Sequence, residues 1–273
     1  MKDYFLAHLQ KAALTREEFN KLLYLPRKIF TDSAQKRFSK FDTNLDFTHQ
    51  DFKKRIEINQ QLASLIPLDK FIHYPEIKII ELGSSLGAIS SLAIIVHLLK
   101  NGCKGKISLT LLDLSLEPLK KTKTIDFNLN NLLKNLKAIH LLEQITQILI
   151  NSQIVIGSLV KLPSIILKNK FNIVISAFTH HHLNFENKAK ACKIMESITQ
   201  PEGLILLGDL TFSYKQYIQW LKKHSNERNS KGERIPYAVE SFISLKKHTK
   251  MFSKSIKIKE IFGDVYYCVA LIT

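Results

Sequence analysis

Arginine is scarce in this chain: only six of its forty basic residues are arginines. Planar, bidentate recognition of phosphates and bases favours arginine over lysine. The net charge of +16 therefore reads first as a lysine-rich solvated surface. The basic pairs Lys53-Lys54, Lys120-Lys121, Lys222-Lys223 and Lys246-Lys247 are scattered rather than clustered. Nucleic acid as a partner remains an alternative that rests on charge alone. Cysteine is scarcer still. Cys103, Cys192 and Cys268 are far apart, odd in number and without metal-ligand spacing, which argues against a disulfide framework and for reduced, structural thiols. No apolar run reaches the ~18 residues of a membrane span. The N-terminus, Met-Lys-Asp-Tyr-Phe-Leu-Ala-His, carries charges where a secretory signal needs an apolar stretch. The expectation is a cytoplasmic protein with no membrane partner. Internal repeats and low-complexity tracts are absent as well.

What is present suffices for a folded core, since 45% of the 273 residues are hydrophobic. Residues 2–13, 15–24 and 50–66 carry apolar residues at helical spacing, and no strand is needed before residue 77. From Ile77 the pattern alternates: strand 77–82, helix 88–100, strand 107–113, a helical region from Pro118 to about Ile150, and strand 153–159. Strand 171–178, helix 185–199, strand 203–209 and helix 213–224 follow. Strands separated by helices imply βαβ units and a parallel sheet. The tail breaks the rhythm, with a helix near 238–251 and strands 255–262 and 265–272 flanking Gly263-Asp264, a two-residue hairpin turn.

The most informative stretch is Ile77-Lys-Ile-Ile-Glu-Leu-Gly-Ser-Ser-Leu-Gly-Ala-Ile-Ser90. An apolar strand ends in Glu81, a glycine turn follows, and a helix starts at once. α/β proteins bring backbone close to a nucleotide-like ligand in this order. Three readings fit. Gly83, Ser85 and Ala88 match a dinucleotide fingerprint with serine in place of the second glycine. Gly83-Ser84-Ser85-Leu86-Gly87 also matches the G-x-S-x-G elbow of serine hydrolases. Ser85 would then be the nucleophile, with Asp209 and His224 or His248 in the right chain order.

The third reading covers more of the chain. Glu81-Leu82-Gly83-Ser84-Ser85-Leu86-Gly87 resembles motif I, (E/D)-x-G-x-G-x-G, of the class I S-adenosylmethionine-dependent methyltransferases. The resemblance extends through Arg37–Asp42, Leu111–Ser115, Phe171–Phe178, Ile235–Phe242 and the final hairpin, roughly residues 30–273. It implies an α/β fold with a Rossmann-like seven-stranded mixed sheet, five parallel crossovers and a C-terminal antiparallel hairpin. A helical N-terminal cap would occupy residues 1–70 and the methyltransferase domain residues 71–273.

The resemblance also implies a cofactor, S-adenosylmethionine, and no metal. Glu81 would accept from the cofactor's ammonium or hold the loop, with Gly83, Ser84, Ser85 and Gly87 facing its methionyl and ribose parts. Asp113 would accept from the ribose hydroxyls, or else act as an acid at a helix N-terminus. Leu114 would lie on the adenine face, Ser158 and Leu159 near the adenine amine, and Ser176, Ala177 and Phe178 along the fourth strand's end. Ala177-Phe178-Thr179-His180-His181-His182-Leu183 is similar to the family's Ala-x-x-His-His-Leu segment, which makes His181 and His182 the candidate bases. Packing or helix capping competes for these histidines. Three adjacent histidines rarely converge on one metal ion. Phe38, Asp209, Phe212 and Tyr214 are the candidate acceptor pocket. The expected acceptor is a small molecule enclosed by the helical cap, with RNA or protein as the alternative. An Asn-Pro-Pro-Tyr signature is absent, since the fourth strand ends Ser176-Ala177-Phe178-Thr179.

Overall fold

A computed structural model describes residues 50–210, 214–215, 218–219, 243, 245–253, 261–262 and 266–272. The expected helices 2–13 and 15–24, the polar loop 225–234, the Ile235–Phe242 segment and the Gly263-Asp264 turn lie outside these residues, as do Phe38, Phe212 and His224.

The described chain begins with α1 (Gln50–Ser64) and a short α2 (Leu68–Phe71), then enters β1 (Glu76–Leu82). A 3-10 turn, Leu86–Ala88, leads into α3 (Ile89–Lys100) and β2 (Lys106–Asp113). Next come α4 (Leu116–Lys123), α5 (Leu129–Asn135), α6 (Leu142–Ile150) and β3 (Gln153–Ile156). The short α7 (Ser164–Leu167) precedes β4 (Phe171–Ala177), a 3-10 turn at His180–His182 and α8 (Phe185–Ile198). β5 (Thr199–Leu210), α9 (Leu245–Thr249), β6 (Ile261–Phe262) and β7 (Tyr266–Ile272) complete the chain.

The strands form one sheet in the order β3-β2-β1-β4-β5-β7-β6. β1 to β5 are parallel, β7 runs antiparallel to β5, and β6 antiparallel to β7. The first strands run outward from β1 to β3, and the chain then returns to set β4 against β1. That reversal opens a crevice at the carboxyl ends of β1 and β4.

Alternation along the strands sorts the core into two layers. Ile79, Leu111, Ile173, Ile175, Leu204 and Leu206 pack with α1, α3, α5 and α6 on one face. Ile80, Leu112, Val174, Ile205 and Leu207 pack with Ala191, Cys192, Met195 and Ile198 of α8 on the other. Every residue of β4 is buried, as a central strand covered on both faces requires. Phe52, Ile56, Ile58, Leu62 and Ala63 of α1 belong to the same cluster as Ile77 and Ile79. α1 thus supplies part of the layer over the sheet.

Three expected segments change shape. The helical region 118–150 is broken by turns in which Ile125 (φ 59°) and Lys137 (φ 53°) take the left-handed conformation. No glycine marks these positions, although Asn128 caps the restart by accepting from the Asn131 N–H at 3.0 Å. β3 ends at Ile156 rather than 159, and the Gly157 N–H donates to the Asp113 carbonyl at 2.9 Å as the last bond of the β2–β3 ladder. β5 begins earlier than expected, at Thr199, and its register against β4 shifts between Phe171 and Ile173. Pro201 and Glu202 (φ 61°) lie in that irregular stretch.

β3 pairs only with residues 110–113 of β2. Among the described residues nothing pairs with 106–109 on that side. A groove of about 860 Å³ runs there, between the amino end of β2 and Glu143, Gln144, Gln147 and Asn151 of α6. No helix among the described residues is long and apolar enough to cross a membrane.

Candidate functional site

The loop after β1 is tied down strand by strand. The Gly83 and Ser84 N–H groups both donate to the Leu112 carbonyl of β2, at 2.7 and 3.0 Å. The Ser85 N–H donates to Asp113 Oδ2 at 3.0 Å, and Asp113 Oδ1 accepts from the Ser115 N–H at 2.9 Å. One carboxylate thus links the β1 loop to the start of α4. The Gly87 N–H donates to Thr122 Oγ1 at 2.7 Å.

Gly83 has φ +82°, and a Cβ there would stand 2.5 Å from Cγ2 and Oγ1 of Thr179. The turns after β1 and β4 are therefore in contact at the crevice. Ser176 Oγ donates to the Leu82 carbonyl at 3.2 Å and so binds the same two strand ends. Backbone strain concentrates here: Ser85 (φ 53°, ψ −165°), Ala88 (φ 44°, ψ 47°) and Phe178 (φ 54°) all sit on these loops. Residues held in such regions cost roughly 1–3 kcal/mol each and cluster at ligand clamps and active sites.

Ser85 occupies the position where the resembled motif has its middle glycine, and it adopts a conformation suited to glycine. Ser85→Gly is expected to relieve part of the roughly 1–3 kcal/mol of strain against roughly 0.5–1 kcal/mol for glycine's flexibility. The variant should gain about 1 kcal/mol of stability, measured as a raised melting temperature. A lowered melting temperature would show that the serine side chain holds the loop.

Glu81 is fully buried, and its Oε2 accepts from the Ser91 N–H at 3.0 Å and the Ser91 hydroxyl at 2.5 Å. These bonds fasten the start of α3 to the end of β1. Burial pushes its carboxyl up to about 7, against the lowering effect of the Ser91 hydrogen bonds. The Ser84 hydroxyl is also buried and has no hydrogen-bond partner. Leu114 is 39% exposed beside Asp113. Ser158 is half-buried and lies in a turn where its Oγ accepts weakly from the Val160 N–H at 3.4 Å. Leu159 is buried in the core beneath that turn. Phe178 stands half-buried with the Arg55 guanidinium of α1 5.6 Å from its ring centroid.

The turn after β4 holds the second feature. His181 Nδ1 lies 2.5 Å from Asp209 Oδ1, and the His181 backbone N–H donates to Asp209 Oδ2 at 2.9 Å. A carboxylate facing Nδ1 fixes the ring proton there and makes Nε2 the basic nitrogen. Asp209, a candidate for the acceptor pocket, is 1% exposed, with both oxygens engaged by His181. Burial pushes its carboxyl up, while nearby cationic groups oppose the shift. The His182 ring lies 3.9 Å from that of His181. Tyr214 is half-buried in a helical turn beyond β5.

Other polar residues here are not singled out by the sequence. Lys188 of α8 is 1% exposed, and its Nζ donates to the Leu183 carbonyl. Burial lowers its ammonium to about 7. A signal exists, because Lys188 lies on the same helical stripe as the buried Ala191, Cys192, Met195 and Ile198. His248 enters the sequence reading only as a hydrolase partner. It is fully buried with Nε2 2.8 Å from His180 Nδ1. Burial lowers the His180 imidazole to about 4 and His248 well below its ordinary value. Among the described residues the hydrolase set with His248 does not assemble, since Asp209 holds His181 and His248 pairs with His180.

No family model and no curated protein matches this chain. Among solved structures, PH0226 protein from Pyrococcus horikoshii OT3 is similar at 17% identity and a TM-score of 0.55, over 87% of this chain and 98% of that one. A possible exported protein from Bordetella parapertussis is similar at 9% identity and a TM-score of 0.52, over 79% and 67%. N-methyltransferase NodS from Bradyrhizobium japonicum WM9 gives 12% identity and a TM-score of 0.46, over 82% and 97%. At these identities the likeness is one of fold, a parallel α/β sheet of the Rossmann-like kind.

Proposed function

We propose that this chain, which has the Rossmann-like fold of the class I methyltransferases, transfers a methyl group from S-adenosylmethionine to a small-molecule nucleophile. The reading is carried by the loop at Gly83–Ser85, clamped by Asp113 at the sheet's reversal point and holding a buried serine hydroxyl without a partner. A partnerless buried hydroxyl is costly, and a polar ligand at the loop would satisfy it.

The residues present fit the cofactor. Asp113 suits a pair of vicinal hydroxyls, exposed Leu114 beside it suits a flat base, and the Gly83 turn allows close backbone approach. Ser158 in its turn beyond β3 would supply the polar contact to the adenine edge. When bound, S-adenosylmethionine supplies a methyl group already activated on sulfur. Alignment of the nucleophile is then a large part of catalysis.

His181 is proposed as the base that takes the acceptor's proton, with Asp209 holding its tautomer and orientation. A built base favours an acceptor that loses a proton on methylation, such as a hydroxyl. His182 is assigned to packing on His181. The acceptor is proposed to be a small molecule; the basic pairs are scattered along the sequence.

Calorimetry with S-adenosylmethionine and its demethylated product tests the reading directly. Binding of both is expected, and binding of neither would remove it. Asp113→Ala strands the Ser85 and Ser115 N–H groups and should weaken cofactor binding by about 1–3 kcal/mol, roughly 5- to 150-fold. Unchanged affinity would show that the cofactor does not sit on this carboxylate.

A further inference from the structure

We propose that His180, Cys192 and His248 form a site for one borderline-soft transition-metal ion, with zinc as the first choice. The three residues come from separate elements: the turn after β4, α8 and α9. All three are buried, and one ligand atom from each lies within 4.8 Å of the others. Two imidazole nitrogens and a sulfur suit zinc and do not suit magnesium or calcium, which take oxygen ligands.

A second observation points the same way. His180 Nε2 is buried with no hydrogen-bond partner, although Nδ1 of the same ring contacts His248 Nε2 at 2.8 Å. Two neutral imidazoles share one proton in such a contact, and the remaining nitrogen is stranded. An interior of this kind is costly as a purely apolar core. Lys188, buried nearby, directs its Nζ to the Leu183 carbonyl.

The geometry requires small adjustments. Tetrahedral zinc with its usual bond lengths sets ligand atoms roughly 3.3–3.6 Å apart. Separations of up to 4.8 Å close by about 1 Å to reach that range. Entry of the ion displaces the Cys192 thiol proton to solvent and forms a metal–thiolate bond with no change of oxidation state. A fourth position is left for water. The ion would pin α9 to α8 and to the turn that carries His181, and it takes no part in methyl transfer.

Cobalt(II) and zinc added to the chelator-treated full-length chain provide the test. One equivalent of cobalt should bind and produce a near-ultraviolet sulfur-to-cobalt charge-transfer band, together with intense visible bands of tetrahedral geometry. One equivalent of zinc should abolish both. Cys192→Ser should lose the charge-transfer band, and Cys103→Ser, a buried cysteine elsewhere, should keep it. His248→Gln should weaken binding by more than the roughly 100-fold that loss of an outer-shell partner costs. A wild-type chain that binds neither ion stoichiometrically overturns the proposal without recourse to any variant. So does a charge-transfer band that survives in a folded Cys192→Ser.

Discussion

Asp209→Asn is expected to lower kcat by about 10²–10⁴-fold while leaving cofactor affinity near that of the wild type. The carboxylate accepts from the His181 ring at 2.5 Å and from the His181 backbone at 2.9 Å. A carboxamide in its place can accept only one of these bonds through its oxygen. If the oxygen keeps the backbone N–H, the amide NH₂ faces Nδ1 and drives the ring proton to Nε2. The basic nitrogen then faces the carboxamide, and the methyl acceptor meets an N–H donor. In the proposed mechanism Asp209 acts through His181, so rate alone does not identify its role. The strongly downfield Nδ1–H proton resonance of a carboxylate-bound imidazole should be present in the wild type and absent in the variant. The rate can be followed on any acceptor that a panel of hydroxyl and amine nucleophiles reveals. A variant that folds, loses that resonance and keeps its kcat would exclude His181 as the base.

Stability should fall with rising pH because of one buried carboxyl. Burial raises Glu81 in the folded chain from the ordinary 4.5 to about 7. The folded state therefore holds this proton more tightly than the unfolded chain does. The stabilisation is fully present below about pH 4.5, declines as pH rises through about 7, and is gone above it. The interval corresponds to about 3 kcal/mol. Glu81→Gln keeps the shape and an oxygen that can accept from Ser91, without the titration. The difference in unfolding free energy between variant and wild type should move in the variant's favour by about 3 kcal/mol between pH 4.5 and 8. A difference that stays constant across that range would mean Glu81 titrates as an ordinary exposed acid.

The features legible in the sequence are those whose chemistry is local. Gly83 and Ser85 can be read because a strand, a turn and a helix follow one another within a few residues. Asp113 can be read because it ends the next strand, in parallel register beside the first. The Asp209–His181 pair spans 28 positions and is legible only as two residues at the same end of the sheet. Their contact follows from β4 and β5 being neighbours, which no short motif encodes. His248 reaches His180 across 68 positions, from a segment whose local pattern suggests only a helix. The breaks at Ile125 and Lys137 escape a sequence reading because residues with side chains adopt a backbone shape that such a reading assigns to glycine.

The bare amino end of β2 has a consequence for how these molecules behave in crowded solution. Among the described residues no strand pairs with 106–109 on that side, and such an edge is a template on which the same strand of another molecule could zip. Lys104 and Lys106 line that groove, and the Lys106 side chain is 75% exposed despite its contact with Glu76. Two molecules meeting edge to edge would bring ammonium against ammonium before any backbone bond could form. Lysine, rather than a longer β3, is then the guard against fibre-like self-association. Because that guard is electrostatic, it weakens as salt shortens the screening length.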